Sequence, residues 1–129
     1  MDQRRALILF LILLLGSLCW SASYPPPRQT LENALKSGQP VIIMLSSNNC
    51  PACLGMKPIL KELADEVKGK ILILDINIYE RRDLAREYNV SLIPTLLFFD
   101  RQGKFKFKSA GYMGKKELLE TIADLKLNK

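Results

Sequence analysis

Two cysteines, Cys50 and Cys53, lie where an apolar segment is followed by a long amphipathic one. Residues 41–45 form a short run rich in β-branched side chains, which is typical of a buried strand. Apolar residues then recur at helical spacing between residues 52 and 67. The two thiols are therefore predicted to lie at a strand-to-helix corner, and this position constrains both the local fold and the chemistry.

Pro51 gives the two thiols different predicted roles. Proline suits the first position of a helix and disfavours the helical conformation for the residue before it. Cys50 is therefore expected at the N-cap, with Cys53 in the first turn and close enough to form a disulfide. The free N–H groups and positive dipole end of the helix lower the pKa of a thiol at the N-cap. We expect Cys50 to be the nucleophile and Cys53 the resolving thiol.

The cysteine pair has two other possible interpretations. A zinc site would need two further Cys or His ligands, but the sequence contains no histidine and its only other cysteine is Cys19. Two inert buried cysteines are the other alternative, although a helix start led by Pro51 is a poor place to bury them. Redox chemistry is favoured, and it requires neither a metal nor an organic cofactor.

The N-terminal residues 1–23 have the features of an export segment. Arg4 and Arg5 precede an apolar run at residues 6–20, and small residues close it at positions 21–23. The segment is either a cleaved signal peptide or an N-terminal membrane anchor, although 6–20 is shorter than the ~20 residues a span usually needs. In both cases the domain is predicted to be exported.

A proline-rich stretch at residues 24–29 is predicted to be a stiff linker, and residues 30–129 one globular domain whose first helix is capped by Thr30. The net charge of +6 comes from scattered residues, so it predicts a solvated surface and no nucleic-acid binding. Strict alternation at residues 104–108 predicts that Phe105 and Phe107 face inward.

The apolar patterns predict the element order α-β-α-β-α-β-β-α. A strand, a crossover helix and a second strand imply parallel pairing, and the final hairpin adds antiparallel strands. The predicted fold class is therefore α/β, with a mixed central sheet of about four strands and helices on both faces.

Four features together resemble the thioredoxin family. They are the cysteine pair after a strand, Pro58 in the following helix, Ile93-Pro94-Thr95 before the third strand, and Gly111 after the fourth. The resemblance covers about residues 28–127, and it implies the thioredoxin fold and a thiol–disulfide oxidoreductase.

The resemblance also implies roles for individual residues. Pro94 is expected to be the family's cis-proline beside the redox pair, and an X–Pro bond forfeits only about 0.5–1 kcal/mol of trans preference. Ile93, Pro94 and Thr95 are expected to bind an extended substrate segment, and Gly111 to let the partner's backbone approach. An isoleucine before the proline resembles reducing thioredoxins more than the periplasmic oxidants.

The active-site loop formed by Asn49, Pro51 and Ala52 departs from the family pattern. Asn49 replaces the usual tryptophan, and Pro51-Ala52 replaces the usual Gly-Pro. The family's buried aspartate, a proton acceptor for the resolving thiol, falls on Met44. The resemblance places Asp75 where the family often has a lysine, on the neighbouring strand and facing the helix that carries the cysteines. Asp75 is therefore either a replacement proton acceptor or a satisfied strand-end carboxylate.

The implied partners are disulfides and thiols of exported proteins, together with an upstream electron donor such as a membrane thiol-reducing protein. The expected location is the bacterial periplasm or the outer face of the cytoplasmic membrane. The protein would be secreted if the signal is cleaved and no outer membrane exists. Alternatives to a reductase are an oxidase or isomerase, and a non-catalytic binding module or chaperone of the same fold.

Overall fold

A computed structural model describes residues 27–129, which form four helices and four strands. In chain order these are α1 (Pro27–Leu35), β1 (Val41–Ser46), α2 (Pro51–Glu66), β2 (Leu72–Asn77), α3 (Arg82–Glu87), β3 (Thr95–Phe99), β4 (Phe105–Ala110) and α4 (Lys115–Asp124). Both the fold class and the element order predicted from the sequence are confirmed. The predicted export segment at residues 1–23 lies outside the described residues.

The four strands form one mixed sheet in the order β2-β1-β3-β4. The strand β1 pairs in parallel with β2 and antiparallel with β3, which in turn pairs antiparallel with β4. All six residues of β1 are buried, since the strand has neighbours on both sides and helices on both faces. Its continuous apolar run therefore reflects its central position.

Two apolar clusters sandwich the sheet. One joins alternate residues of β1 and β3 to α2 and α4, and it includes Ile42, Met56, Phe98 and Leu118. The other joins the opposite residues of the same strands to α1 and α3, and it includes Leu31, Ile43, Leu84 and Phe99. The period-2 alternation along the strands assigns neighbouring residues to different clusters.

The first helix begins earlier than the sequence pattern predicts. It starts at Pro27, three residues before the predicted cap at Thr30 and inside the stretch predicted to be a linker. A proline suits the first turn because its missing N–H would have no partner inside the helix. Thr30 lies within the helix, and its buried hydroxyl oxygen has no hydrogen-bond partner in the described part of the chain.

The prediction that Phe105 and Phe107 both face inward is wrong. A bulge in the β3–β4 pairing sets Phe107 opposite Phe98 and Phe105 opposite Phe99. Because Phe98 and Phe99 are consecutive and point to opposite faces, their two partner rings also lie on opposite faces of the sheet. Each ring contacts its partner at 5.8 Å between centroids and stays exposed, Phe105 by 39% and Phe107 by 41%.

The sheet brings four chain segments to one edge. In the register, Ser46 at the end of β1 lies opposite Asn77 at the end of β2, and Leu45 lies opposite Thr95 at the start of β3. Thr95 in turn lies opposite Ala110 at the end of β4. The loops that follow β1, β2 and β4 and the loop that precedes β3 therefore meet there.

Candidate active site

The two cysteines lie at this edge, at the start of α2. Cys50 is the N-cap residue with an extended backbone (φ −106°, ψ 107°), and Pro51 occupies the first helical position, as the sequence predicts. Cys53 lies in the first turn, and a disulfide joins it to Cys50 with 5.2 Å between their Cα atoms. The proline-led corner thus brings the two sulfurs together.

The surroundings of the two sulfurs differ. The backbone N–H of Cys53 donates a hydrogen bond to the Cys50 Sγ over 3.1 Å, and the first turn of α2 carries no acidic side chain. Both features favour negative charge on the Cys50 sulfur, because N–H groups and the helix dipole stabilise a thiolate. Cys50 is partly exposed, whereas Cys53 is fully buried. Of the two cysteines, only Cys50 is therefore accessible from solvent.

The loop before β3 lies against the redox pair. The Ile93–Pro94 peptide bond is cis, as the resemblance implies, and the Cys50 Sγ lies 3.9 Å from the carbonyl oxygen of Ile93. Thr95 is buried, and its hydroxyl donates a hydrogen bond of 2.6 Å to the carbonyl of Leu92. The side chain of Thr95 therefore stabilises the loop, whose accessible residues before Pro94 are Ser91, Leu92 and, in part, Ile93.

Gly111 completes the edge on the other side of Pro94. Its N–H donates a hydrogen bond of 2.7 Å to the Pro94 carbonyl, and its φ of +98° lies in the region that favours glycine. A Cβ atom at this position would lie 3.9 Å from the Leu92 side chain. Since 3.9 Å is an ordinary van der Waals distance, the positive φ and not a shortage of space accounts for glycine here. The expected role of Gly111, to let a partner's backbone approach, stays a prediction.

Asp75 is engaged by two groups other than the cysteines. The Ser46 hydroxyl donates to its Oδ1 over 2.5 Å, and Lys57 Nζ of α2 lies 3.1 Å from its Oδ2. Met44, its partner in the register, is fully buried. These contacts favour the alternative of a satisfied carboxylate that ties β2 to β1 and α2.

Several exposed apolar side chains around the site were not singled out from the sequence. Leu54 follows Cys53, Leu92 precedes Ile93 and Tyr112 follows Gly111, and each is more than half exposed. The Tyr112 ring lies 3.8 Å from where a Cβ of Gly55 would be, so it covers the first turns of α2. The sequence offered one signal for these three residues, which is that each is adjacent to a motif residue. Their exposure could not be predicted, because it depends on the tertiary fold. Asn49, Pro51 and Ala52 are also exposed.

The described residues 27–129 contain no cluster of three or more metal-ligating side chains. Within the same range, no helix combines the length and apolar character that a membrane crossing requires.

Comparisons with known proteins agree with this geometry. A family model described as Thioredoxin matches residues 27–124. A thioredoxin of Rickettsia felis is 33% identical over 91 residues, which are 70% of this chain and 86% of that protein. The chloroplastic M-type thioredoxin of Spinacia oleracea is 35% identical over 91 residues, which are 70% of this chain and 50% of the relative.

A similar solved structure is that of chloroplastic thioredoxin z, which defines a novel type-specific target recognition. It superposes with a TM-score of 0.66 at 21% identity, covering 76% of this chain and 88% of its own. At that identity the similarity supports the fold alone. The family match, the similarity to the Rickettsia felis thioredoxin and the Cys50–Cys53 disulfide establish that the chain belongs to the thioredoxin family and is a thiol–disulfide oxidoreductase.

Proposed function

We propose that the protein is an exported reductase that delivers electrons to disulfides of exported proteins. The observation that carries the proposal is the placement of Cys50, an N-cap sulfur that accepts the Cys53 N–H and lies 3.9 Å from the Ile93 carbonyl at the cis-proline loop. This arrangement supports a stabilised thiolate beside a surface on which an extended partner segment can lie.

The reaction begins with both cysteines as thiols and Cys50 ionised. The Cys50 thiolate attacks one sulfur of a partner disulfide, forming a mixed disulfide and releasing the partner's other sulfur as a thiolate that takes up a proton. Cys53 then loses its proton and attacks the Cys50 sulfur. The Cys50–Cys53 disulfide forms and the second partner thiol leaves, so two electrons pass to the partner. An upstream dithiol restores both thiols by the reverse exchange.

Export is supported by the sequence of residues 1–23, with Arg4 and Arg5 before an apolar run. In our proposal the domain acts in the bacterial periplasm or on the outer face of the cytoplasmic membrane, and a membrane thiol-reducing protein supplies electrons. The intact mass of the protein recovered from cells tests the export segment. A mass lacking about 23 residues indicates a cleaved signal, and the full mass in the membrane fraction indicates an anchor. Full-length protein confined to the cytosol would contradict export.

Turnover is tested by reduction of the insulin disulfides with the purified chain and a dithiol donor. Cys50→Ser should abolish activity, whereas Cys53→Ser should accumulate a mixed disulfide with the substrate because the resolving step is lost. Equal and negligible turnover in the wild type and in Cys50→Ser would instead indicate a non-catalytic binding module.

The direction of electron flow is tested by the reduction potential of the Cys50–Cys53 pair. A reductase is expected near the value of about −270 mV that thioredoxin has. A potential of about −180 mV or higher, in the range of disulfide isomerases and oxidants, would refute the reductant role and favour an oxidase or isomerase.

A further inference from the structure

We propose that a groove beside the cis-proline loop selects partner proteins that carry an acidic side chain close to their reactive cysteine, with Arg82 as the group that recognises it. The inference rests on the proposed function in one respect: the partner is a protein segment whose sulfur reacts with Cys50. It adds a specificity-determining residue that neither the cysteine motif nor the loop motif contains.

The groove adjoins the redox pair. It has a volume of about 320 Å³ and is lined mainly by Ile78, Tyr79, Arg82, Val90, Leu92 and Ile93. Ile93 belongs to both places, because its carbonyl oxygen lies 3.9 Å from the Cys50 Sγ. An extended segment that brings a sulfur to Cys50 can therefore reach the groove with a residue only a few positions away, at about 3.3 Å per residue.

The lining combines apolar walls with a single charge. Among the residues that line the groove, only Arg82 is charged, and its guanidinium carbon lies 6.0 Å from the centre of the Tyr79 ring. Tyr79 is 66% exposed, so this pair stands at the open side of the groove. Leu92, 54% exposed, forms the side nearest the loop.

Arg82 is free to bind a partner, whereas its neighbour Arg81 is not. Arg81 is buried and holds Asp83 through two nitrogens at 2.8–3.2 Å, but Arg82 forms no ion pair within the described part of the chain. The carboxylates of Asp75 and Glu80 line a different depression, next to α1. An unpaired guanidinium at the mouth of an apolar groove complements a carboxylate flanked by an apolar residue.

The preference is expected to be moderate. A solvent-exposed ion pair contributes about 0.2–1 kcal/mol, which corresponds to at most about a fivefold change in rate or affinity. Salt should reduce it, because the Debye length shortens to about 3 Å at 1 M ionic strength.

The test uses the reduced full-length chain and disulfide-looped peptides that carry Glu, Gln or Lys at one to three residues from a cysteine. The wild type should reduce the best Glu peptide about two- to fivefold faster than its Gln match, and the Lys peptide more slowly. Arg82→Gln should remove the difference, and Arg82→Glu should reverse it toward Lys. Arg86→Gln is the matched control, since Arg86 is an exposed arginine of the same helix outside the groove lining, and it should keep the preference.

The proposed recognition of an acidic side chain by Arg82 is refuted if the wild type reduces all three peptides equally, or if Arg82→Gln retains the preference for Glu. Reduction of a small aromatic disulfide separates this outcome from failure of the proposed function, because that reaction does not need the groove. If no disulfide is reduced, binding of the same peptides with Ser for Cys still decides the inference. Tighter binding of the Glu peptide that is lost in Arg82→Gln supports it, and equal binding overturns it.

Discussion

At the scale of single residues, the adjacent arginines Arg81 and Arg82 have different environments. Arg81 is buried against Asp83, while Arg82 faces the groove beside the active site. The carboxylate of Asp83, the largest contribution, and charges nearby raise the pKa of Arg81, so its charge is retained despite burial. Two adjacent arginines thus serve structure and recognition separately.

Tyr88 makes the stability of the protein sensitive to alkaline pH. Its ring packs 5.7 Å from Phe99 and 5.0 Å from Phe105, and burial, aided by the charge of Glu87, raises the pKa of its phenol to about 12. The pKa of the phenol is higher in the folded protein than its unfolded value of about 10, so the neutral phenol favours the folded state. Its contribution to the free energy of unfolding is fully present below pH 10 and is lost as the pH rises toward 12.

We expect the wild type to lose more stability than Tyr88→Phe between about pH 8 and pH 11, because phenylalanine has no proton to lose. The measurement is the urea midpoint of both proteins at the two pH values. Parallel losses in the two proteins would show that the Tyr88 phenol does not contribute.

Asp75→Asn separates the two interpretations of that carboxylate. The amide still accepts from Ser46 but loses the ion pair with Lys57, so we expect a loss of about 0.2–1 kcal/mol in unfolding free energy. Lys57→Gln should cost a similar amount, and the double variant little more. The pKa of the Cys53 thiol, followed by alkylation in Asp75→Asn, should not change. A clear change in that pKa would identify Asp75 as the proton acceptor.

At the scale of elements, the turn between β3 and β4 packs closely against the end of α1. Gly103 has a φ of +72°, and a Cβ there would lie 2.5 Å from the carbonyl oxygen of Leu35. Gly38 has a similar φ of +76°, but a Cβ there would meet nothing within 4 Å. Both glycines therefore adopt a left-handed backbone conformation, but only Gly103 lacks room for a side chain.

Gly103→Ala should destabilise the protein by about 2–4 kcal/mol, since it adds an overlap with backbone to the cost of a left-handed conformation. Gly38→Ala, the matched control, should cost only the conformational part, about 1–2 kcal/mol. Urea unfolding of both variants checks the difference, and equal losses would show that the α1–hairpin contact yields easily.

At the scale of the whole molecule, the two clusters that flank the sheet are built from residues 31–127. A chain that begins at Pro27 should therefore unfold cooperatively at nearly the same urea midpoint as the full-length protein. Deletion of residues 1–35 should lower the free energy of unfolding by about 3 kcal/mol or more, because it removes the buried Leu31 and Ala34 from the second cluster. A large loss in the first truncation would show that residues 1–26 contribute to folding.

The sequence by itself determined the features that depend on local chain properties. The apolar run of β1, the proline-led start of α2 and the N-cap position of Cys50 follow from periodicity and from the steric limits of proline. These limits act within a few residues, so the redox pair and its corner could be predicted without the fold.

Only the tertiary structure decided which side chains meet across the sheet and which stay exposed. A bulge at β4 places Phe105 and Phe107 on opposite faces of the sheet. Asp75 contacts Ser46 and Lys57. Arg82 lines the groove, whereas Arg81 is buried. The physical reason is that burial and pairing depend on strand register and on chain segments distant in sequence, and neither leaves a local pattern in the residues themselves.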